Sequence, residues 1–213
     1  MDNPFSKSPA ALADVMVKYT PVTVSSSPSS ELAGTTLAPR PKGAKAPAPA
    51  PKQSEDLFAE ARGYISANEG IKNAPYKDSK GLWTVGIGHL MSPEEVRQMS
   101  GKTLSQQQVD EIFARDLNSK MRLAKRELGA AYDKLPTGAK VAVLDGFFRG
   151  DLSGSPEALK LIRAGKLAEA ADEYLDNNEY RASVALNKKG EPHGVAGRME
   201  RNAAVLRAAS TKR

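Results

Sequence analysis

The chain has 213 residues, 40% of them hydrophobic, with no cysteine, two histidines, a net charge of +6 and a pI near 9.4. That length allows one domain of ordinary size plus an appendage. The absence of cysteine rules out a disulfide framework and a thiolate metal site, and two histidines far apart in sequence are a poor ligand supply for zinc. No metal and no cofactor is expected. No apolar run approaches the roughly 20 residues of a membrane span, and the start MDNPFSKSPAALADV lacks the basic-then-apolar order of a secretory signal. The positive charge favours polyanions, but it forms no basic stripe with interleaved aromatics, so no nucleic-acid partner is expected.

Composition changes near residue 53. Nine of the 14 prolines precede it, among Ser, Thr and Ala. Residues 1–53 are read as a Pro/Ala/Ser-rich arm that cannot bury enough apolar surface to offset ordering its backbone. The APAPAPK end is a stiff, extended spacer. Within the arm, Ser8 and Pro9 suit a helix start, and Leu12, Val15, Met16 and Tyr19 recur at helical spacing. A short docking helix over residues 8–19 is expected, folding on a partner.

Residues 54–213 read as globular. Ser54 is the expected N-cap of a first helix near 55–69, with Leu57, Phe58, Ala61, Tyr64 and Ile65 as its apolar face and Gly70 just past its end. The GLWTVGIGH stretch alternates and reads as strand or hairpin, with DSKG at 78–81 as its turn. Trp83 is expected in the core, with the cleft wall as the alternative. Ser92…Glu95 and Ser105…Gln108 are capping boxes. The second opens a long helix through Val109, Ile112, Phe113, Leu117 and Met121. Further helices are expected near 137–149, 156–164, 167–176 and 195–209, with LNKKGEPHG, including His193, as a solvated loop. The basic runs Lys188-Lys189 and Arg198…Arg207 read as solvated faces. The fold class is α+β and helix-rich: a small β lobe followed by a larger helical lobe.

The stretch NEGIKNAPYKDSKGLWTVGIGHL, residues 68–90, carries the chemistry. Glu69 ends the first helix, where the negative end of the dipole opposes an ionised carboxylate and suits a group that must carry a proton. Asp78 opens a polar turn, a wetter place. Two carboxyls in contrasting settings are the pattern that divides acid from base. Thr84 lies on the strand face opposite Trp83 and Val85, and Gly86 and Gly88 are expected to leave that face bare for a ligand. On these residues alone, an ordinary helix end and turn remain the competing interpretation.

Glu69-Gly70-Ile71, then Tyr76-Lys77-Asp78, then Trp83-Thr84-Val85-Gly86-Ile87-Gly88-His89 resembles the active-site signature of phage-type lysozymes, the glycoside hydrolase family 24 muramidases. Ser105…Asp116, Phe147-Phe148 and Gly197-Arg198-Met199-Glu200-Arg201 resemble later family segments, so the resemblance spans about 55–209. It implies a lysozyme-like fold with a cleft between the lobes. It also implies cleavage of the β-1,4 bond between N-acetylmuramic acid and N-acetylglucosamine in peptidoglycan. By motif position Glu69 would be the acid, Asp78 the base that activates water, and Thr84 a holder of that water. The anomeric centre would be inverted, which requires carboxyls roughly 6.5–9.5 Å apart. Leu90, Phe148 and Arg149 would touch substrate, although many relatives carry an amide at the Arg149 position. Arg198 would pair with the acid, and His89 with Asp116 would join the β lobe to the long helix.

The resemblance leaves the arm unexplained. A virion-associated enzyme that docks on phage tail or other virion proteins through residues 1–20 accounts for it. Such a protein would reside in the virion, or in host cytoplasm before release, and act on the periplasmic peptidoglycan. The alternatives are a free endolysin, a catalytically silent wall-binding protein, and a lytic transglycosylase.

Overall fold

The computed structural model describes residues 52–78, 80–189 and 194–211. The arm expected over 1–53, save Lys52 and Gln53, lies outside the described residues, as do the 8–19 docking helix and His193. Among the described residues no helix is long and apolar enough to cross a membrane.

Helix α1, Lys52–Glu69, begins three residues earlier than the sequence suggests, so Ser54 lies within it rather than capping it. Lys, Gln and Ser offer nothing that stops a helix, and the first proline met going upstream is Pro51. Its apolar face is the expected one: Leu57, Phe58, Ala61 and Ile65 are buried. Tyr64 is half-buried and donates its hydroxyl to Asn202 Oδ1 at 2.9 Å.

Three antiparallel strands follow in sequence order: β1 Lys72–Lys77, β2 Trp83–Gly86 and β3 His89–Leu90. Of the strand and hairpin readings of GLWTVGIGH, the hairpin holds: β2 pairs with β1 on one side and β3 on the other. The structure corrects the bare face expected beside Thr84. Gly86 takes φ +67° and Gly88 φ +68°, left-handed values open to glycine at no steric cost, and the chain folds back between them. Thr84 is therefore opposed by Leu90 rather than left beside bare glycines, and it is buried. A Cβ on Gly86 would meet Val109 at 3.5 Å, so that glycine faces the long helix. Trp83 is not core either: it is 38% exposed. It alternates onto the same side of β2 as Val85, which is fully buried.

Helix α2, Pro93–Met99, and helix α3, Gln106–Leu128, both start with the anticipated capping boxes, Ser92 with Glu95 and Ser105 with Gln108. Each satisfies two backbone or side-chain donors that a bare helix end would leave to water. α3 buries Val109, Ile112, Phe113 and Leu117 and contacts β2, β3 and the helices α4, Ala130–Lys134, α5, Thr137–Arg149, and α6, Pro156–Arg163. The Phe113 ring lies 5.6 Å from Phe58 of α1 and 5.7 Å from Phe148 of α5, so one side chain ties three helices together. α7, Leu167–Leu175, and α8, Asn178–Lys188, complete the surround of the last helix, α9, Gly194–Ser210.

The sequence reading omitted α4 and α8. α8 is signalled by Asn177, whose side chain accepts from Tyr180 N–H as an N-cap. It replaces the first part of the expected loop, though Lys188 and Lys189 are exposed as anticipated. Ser183 of α8 is buried and accepts from the backbone N–H of Ala196 at 2.9 Å, satisfying a first-turn donor of α9.

Candidate active site

Glu69 is the last residue of α1. Gly70, at φ +74°, ends the helix and donates to Ser66 O at 2.8 Å. The carboxylate is thus fixed at the junction between the helical lobe and the sheet. Its Oε1 accepts from Arg198 Nη1 at 2.6 Å. On its other side stands Gly88, where an added Cβ would lie 3.0 Å from Glu69 Oε2. Only a glycine lets the turn backbone approach the acid this closely.

Asp78 follows β1. Its Oδ1 accepts from the backbone N–H groups of Lys80 at 2.9 Å and Leu82 at 2.8 Å, so the carboxylate shapes the turn as an Asx motif does. Cross-strand partners share a face of the sheet, and the pairs Tyr76–Thr84 and Thr84–Leu90 put those three side chains in one row. Asp78 comes directly after the end of β1, two residues past Tyr76. The Tyr76 phenol is raised in pKa, first by burial and then by the charges of Glu69 and Asp78. The charges of both carboxylates therefore reach one ring. Thr84 donates its hydroxyl to Leu82 O at 3.3 Å, which leaves the oxygen's lone pairs to accept.

Arg198 belongs to α9 and is buried, not part of a solvated basic face. It is held by Asp145 of α5, which is fully buried. Arg198 Nε donates to Asp145 Oδ2 at 2.8 Å and Nη2 donates to Oδ1 at 2.8 Å. Burial alone would lower the guanidinium's proton affinity. The hydrogen bonds and charge of Asp145, then Glu69, overcome this, and its pKa is raised. Asp145 also accepts from Asn202 Nδ2 at 2.9 Å and Asn68 Nδ2 at 3.1 Å. The sequence reading missed Asp145, Asn202, Asn68 and the role of Tyr76. Asp145 had a visible signal: it is the only charged residue between Val141 and Phe148 in VAVLDGFF, and such a residue is seldom buried without a partner.

Residues 66–198 match the family model for phage lysozyme. The chain belongs to the phage lysozyme family. It is also 25% identical over 140 residues to a protein of Dictyostelium discoideum described as probable T4-type lysozyme 2, covering 55% of this chain and 82% of that relative. Family membership brings with it lysozyme activity on peptidoglycan.

The β lobe is tied to the helices through His89. Its Nδ1 lies 2.8 Å from Asp116 Oδ2 of α3. Its Nε2 lies 3.2 Å from Glu95 Oε1 of α2, a partner that the sequence reading did not name. The hydrogen bond to Asp116 is the largest influence on the imidazole; with the charges of Asp116 and Glu95 it outweighs burial and raises the pKa above 6.5. Leu90 is 58% exposed at the end of the Tyr76–Thr84 row. Phe148 is half-buried, with Lys120 Nζ 5.9 Å from its ring centre. Arg149 already has acidic partners, Asp151 at 3.0 Å and Glu179, so its fork is engaged before any substrate arrives. Among the described residues no cluster of three or more His, Asp or Glu stands ready for a metal ion.

Proposed function

We propose that this lysozyme cleaves the β-1,4 bond between N-acetylmuramic acid and N-acetylglucosamine in peptidoglycan, with inversion at the anomeric carbon. Glu69 is the general acid that protonates the leaving glycosidic oxygen. Asp78 is the general base that takes a proton from water as that water attacks the opposite face of the sugar. The Thr84 oxygen accepts a hydrogen bond from the same water. Leu90 and Phe148 supply apolar contacts to the glycan, and Arg149, through the acids that hold it, shapes the edge of the site.

The observation that carries this reading is a pair of carboxyls in unlike settings whose charges both bear on Tyr76. Glu69 is paired with a buried guanidinium, while Asp78 sits on backbone N–H groups in a turn. An acid and a base with different partners at one place are what the two halves of the reaction need. The test is hydrolysis of purified peptidoglycan followed by NMR of the fresh products. The α-anomer is the expected first product, and Glu69→Gln should reduce turnover by about a hundredfold or more. A β-anomer at the outset defeats inversion, an anhydro-sugar product defeats hydrolysis, and equal clearing by Glu69→Gln defeats the assignment of the acid.

The proline-rich arm supports a second element of the proposal: the enzyme is carried in the virion, docks on tail or other virion proteins through residues 1–20, and opens the wall locally. Deleting residues 1–20 should leave hydrolysis intact and remove the protein from purified particles. Undiminished incorporation of the truncated chain would rule this out.

A further inference from the structure

We propose that Asp145 is a positioning residue for the hydrolysis: it holds Arg198 and supplies the counter-charge that leaves Glu69 free to carry a proton. The proposal rests on Glu69 being the proton donor.

Arg198 has five N–H donors in a planar fork. One edge is taken by Asp145, through Nε to Oδ2 and Nη2 to Oδ1, both at 2.8 Å, with the Asp145 carbonyl 3.3 Å from Nη2. This side-on pairing fixes the plane of the guanidinium, and Nη1 is thereby aimed at Glu69 Oε1, 2.6 Å away. Asp145 is itself pinned by Asn68 of α1 and Asn202 of α9. The orientation of the donor's only guanidinium partner among the described residues is therefore set from α5, by a residue that does not touch Glu69.

The charge balance gives this geometry a chemical consequence. A guanidinium buried beside a general acid is a hazard, because a cation needs an anion once it leaves water, and the nearest carboxyl would be held ionised to supply it. A carboxylate cannot give a proton to a glycosidic oxygen. With Asp145 in place, Arg198 keeps a counter-ion whether or not Glu69 is protonated, and its single hydrogen bond to Glu69 orients the acid.

The surrounding charged groups do not take over that task. Asp151 feels Arg198 but is hydrogen-bonded to Arg149. Arg201 of α9 donates to Asn68 Oδ1 at 2.6 Å. Tyr64 of α1 and Tyr174 of α7 are both raised in pKa, first by burial, and among the further causes is the charge of Asp145. On the sheet side, the charges of Glu69 and Asp78 both bear on Tyr76.

The test is the pH–rate profile of peptidoglycan hydrolysis for wild type, Asp145→Asn and the charge exchange Asn68→Asp/Asp145→Asn across the 3.1 Å hydrogen bond. In Asp145→Asn the alkaline limb should move to lower pH by about one unit or more, because Arg198 then draws on Glu69 alone. The exchange should bring the limb back. A role confined to folding would lower the rate at every pH and leave the limb in place. An unmoved limb in folded Asp145→Asn overturns the proposal. If circular dichroism shows that Asp145→Asn does not fold, the exchange variant decides: a limb at the wild-type position supports the proposal and a displaced one overturns it. A wild-type protein that hydrolyses peptidoglycan at no pH overturns the donor assignment, and this proposal with it.

Discussion

Gly88 stands so close to Glu69 that a Cβ on the glycine would lie 3.0 Å from Oε2 and 3.2 Å from Cδ of the acid. The turn that reverses the sheet is thus also the wall against which the acid rests. Gly88→Ala would push the carboxyl off Arg198 and strain a residue at φ +68°. Displacement of a reacting group by about 1 Å costs up to a hundredfold in rate, and the left-handed backbone costs about 1–2 kcal/mol. A kcat at least tenfold lower, with a melting temperature a few degrees lower, is the expected pair of results from assay and calorimetry. Unchanged kcat would show that the close approach has no catalytic weight.

His89 should make stability depend on pH. Its pKa is raised above 6.5, first by the hydrogen bond to Asp116, so its contribution is full below that value and fades as pH rises through the higher folded value. Glu95 is lowered from 4.5: burial opposes the shift, and the Ser92 and His89 contacts outweigh it. Its share is present above that value and is lost as pH falls through the lowered one. The stability gap between wild type and His89→Gln should reach about 1–3 kcal/mol near pH 5.5 and shrink toward pH 9. Chemical denaturation at the two pH values measures it; a constant gap would contradict the pairing.

Tyr132 offers a stabilising change. The residue is 1% exposed and its hydroxyl lacks a hydrogen-bond partner among the described residues, while burial pushes the phenol up to about 12. Tyr132→Phe removes the stranded oxygen and keeps the ring. A gain of about 1 kcal/mol is expected by thermal or urea unfolding; a loss of that size would mean the hydroxyl is satisfied in solution.

Phe113 holds three helices through its contacts with Phe58 and Phe148. Phe113→Ala should cost about 3–5 kcal/mol, visible as a lowered urea midpoint. Because Phe148 loses its neighbour, KM for peptidoglycan should rise as well. A cost below about 1 kcal/mol would show that the cluster closes over the gap.

Local chemistry made much of this molecule legible from its residues. Capping boxes at Ser92 and Ser105, the glycine at 70, and the apolar spacing of α1 and α3 act over a few residues, and each element they mark is present. The Glu69…Asp78…Thr84 spacing is of the same kind, since a helix end, a turn and a strand follow one another without a long gap. The misreadings arose where distant segments intervene. Trp83 stays 38% exposed while Val85, two residues on, is fully buried. Asp145 has meaning only against Arg198, 53 residues away, and Arg198 only against Glu69, 129 residues away. Sequence determined which short segments form and which groups bear chemistry, because propensity, capping and spacing are local. Tertiary packing alone decided which acid the buried guanidinium shares and which glycine backs the donor, because charge and contact act across space rather than along the chain.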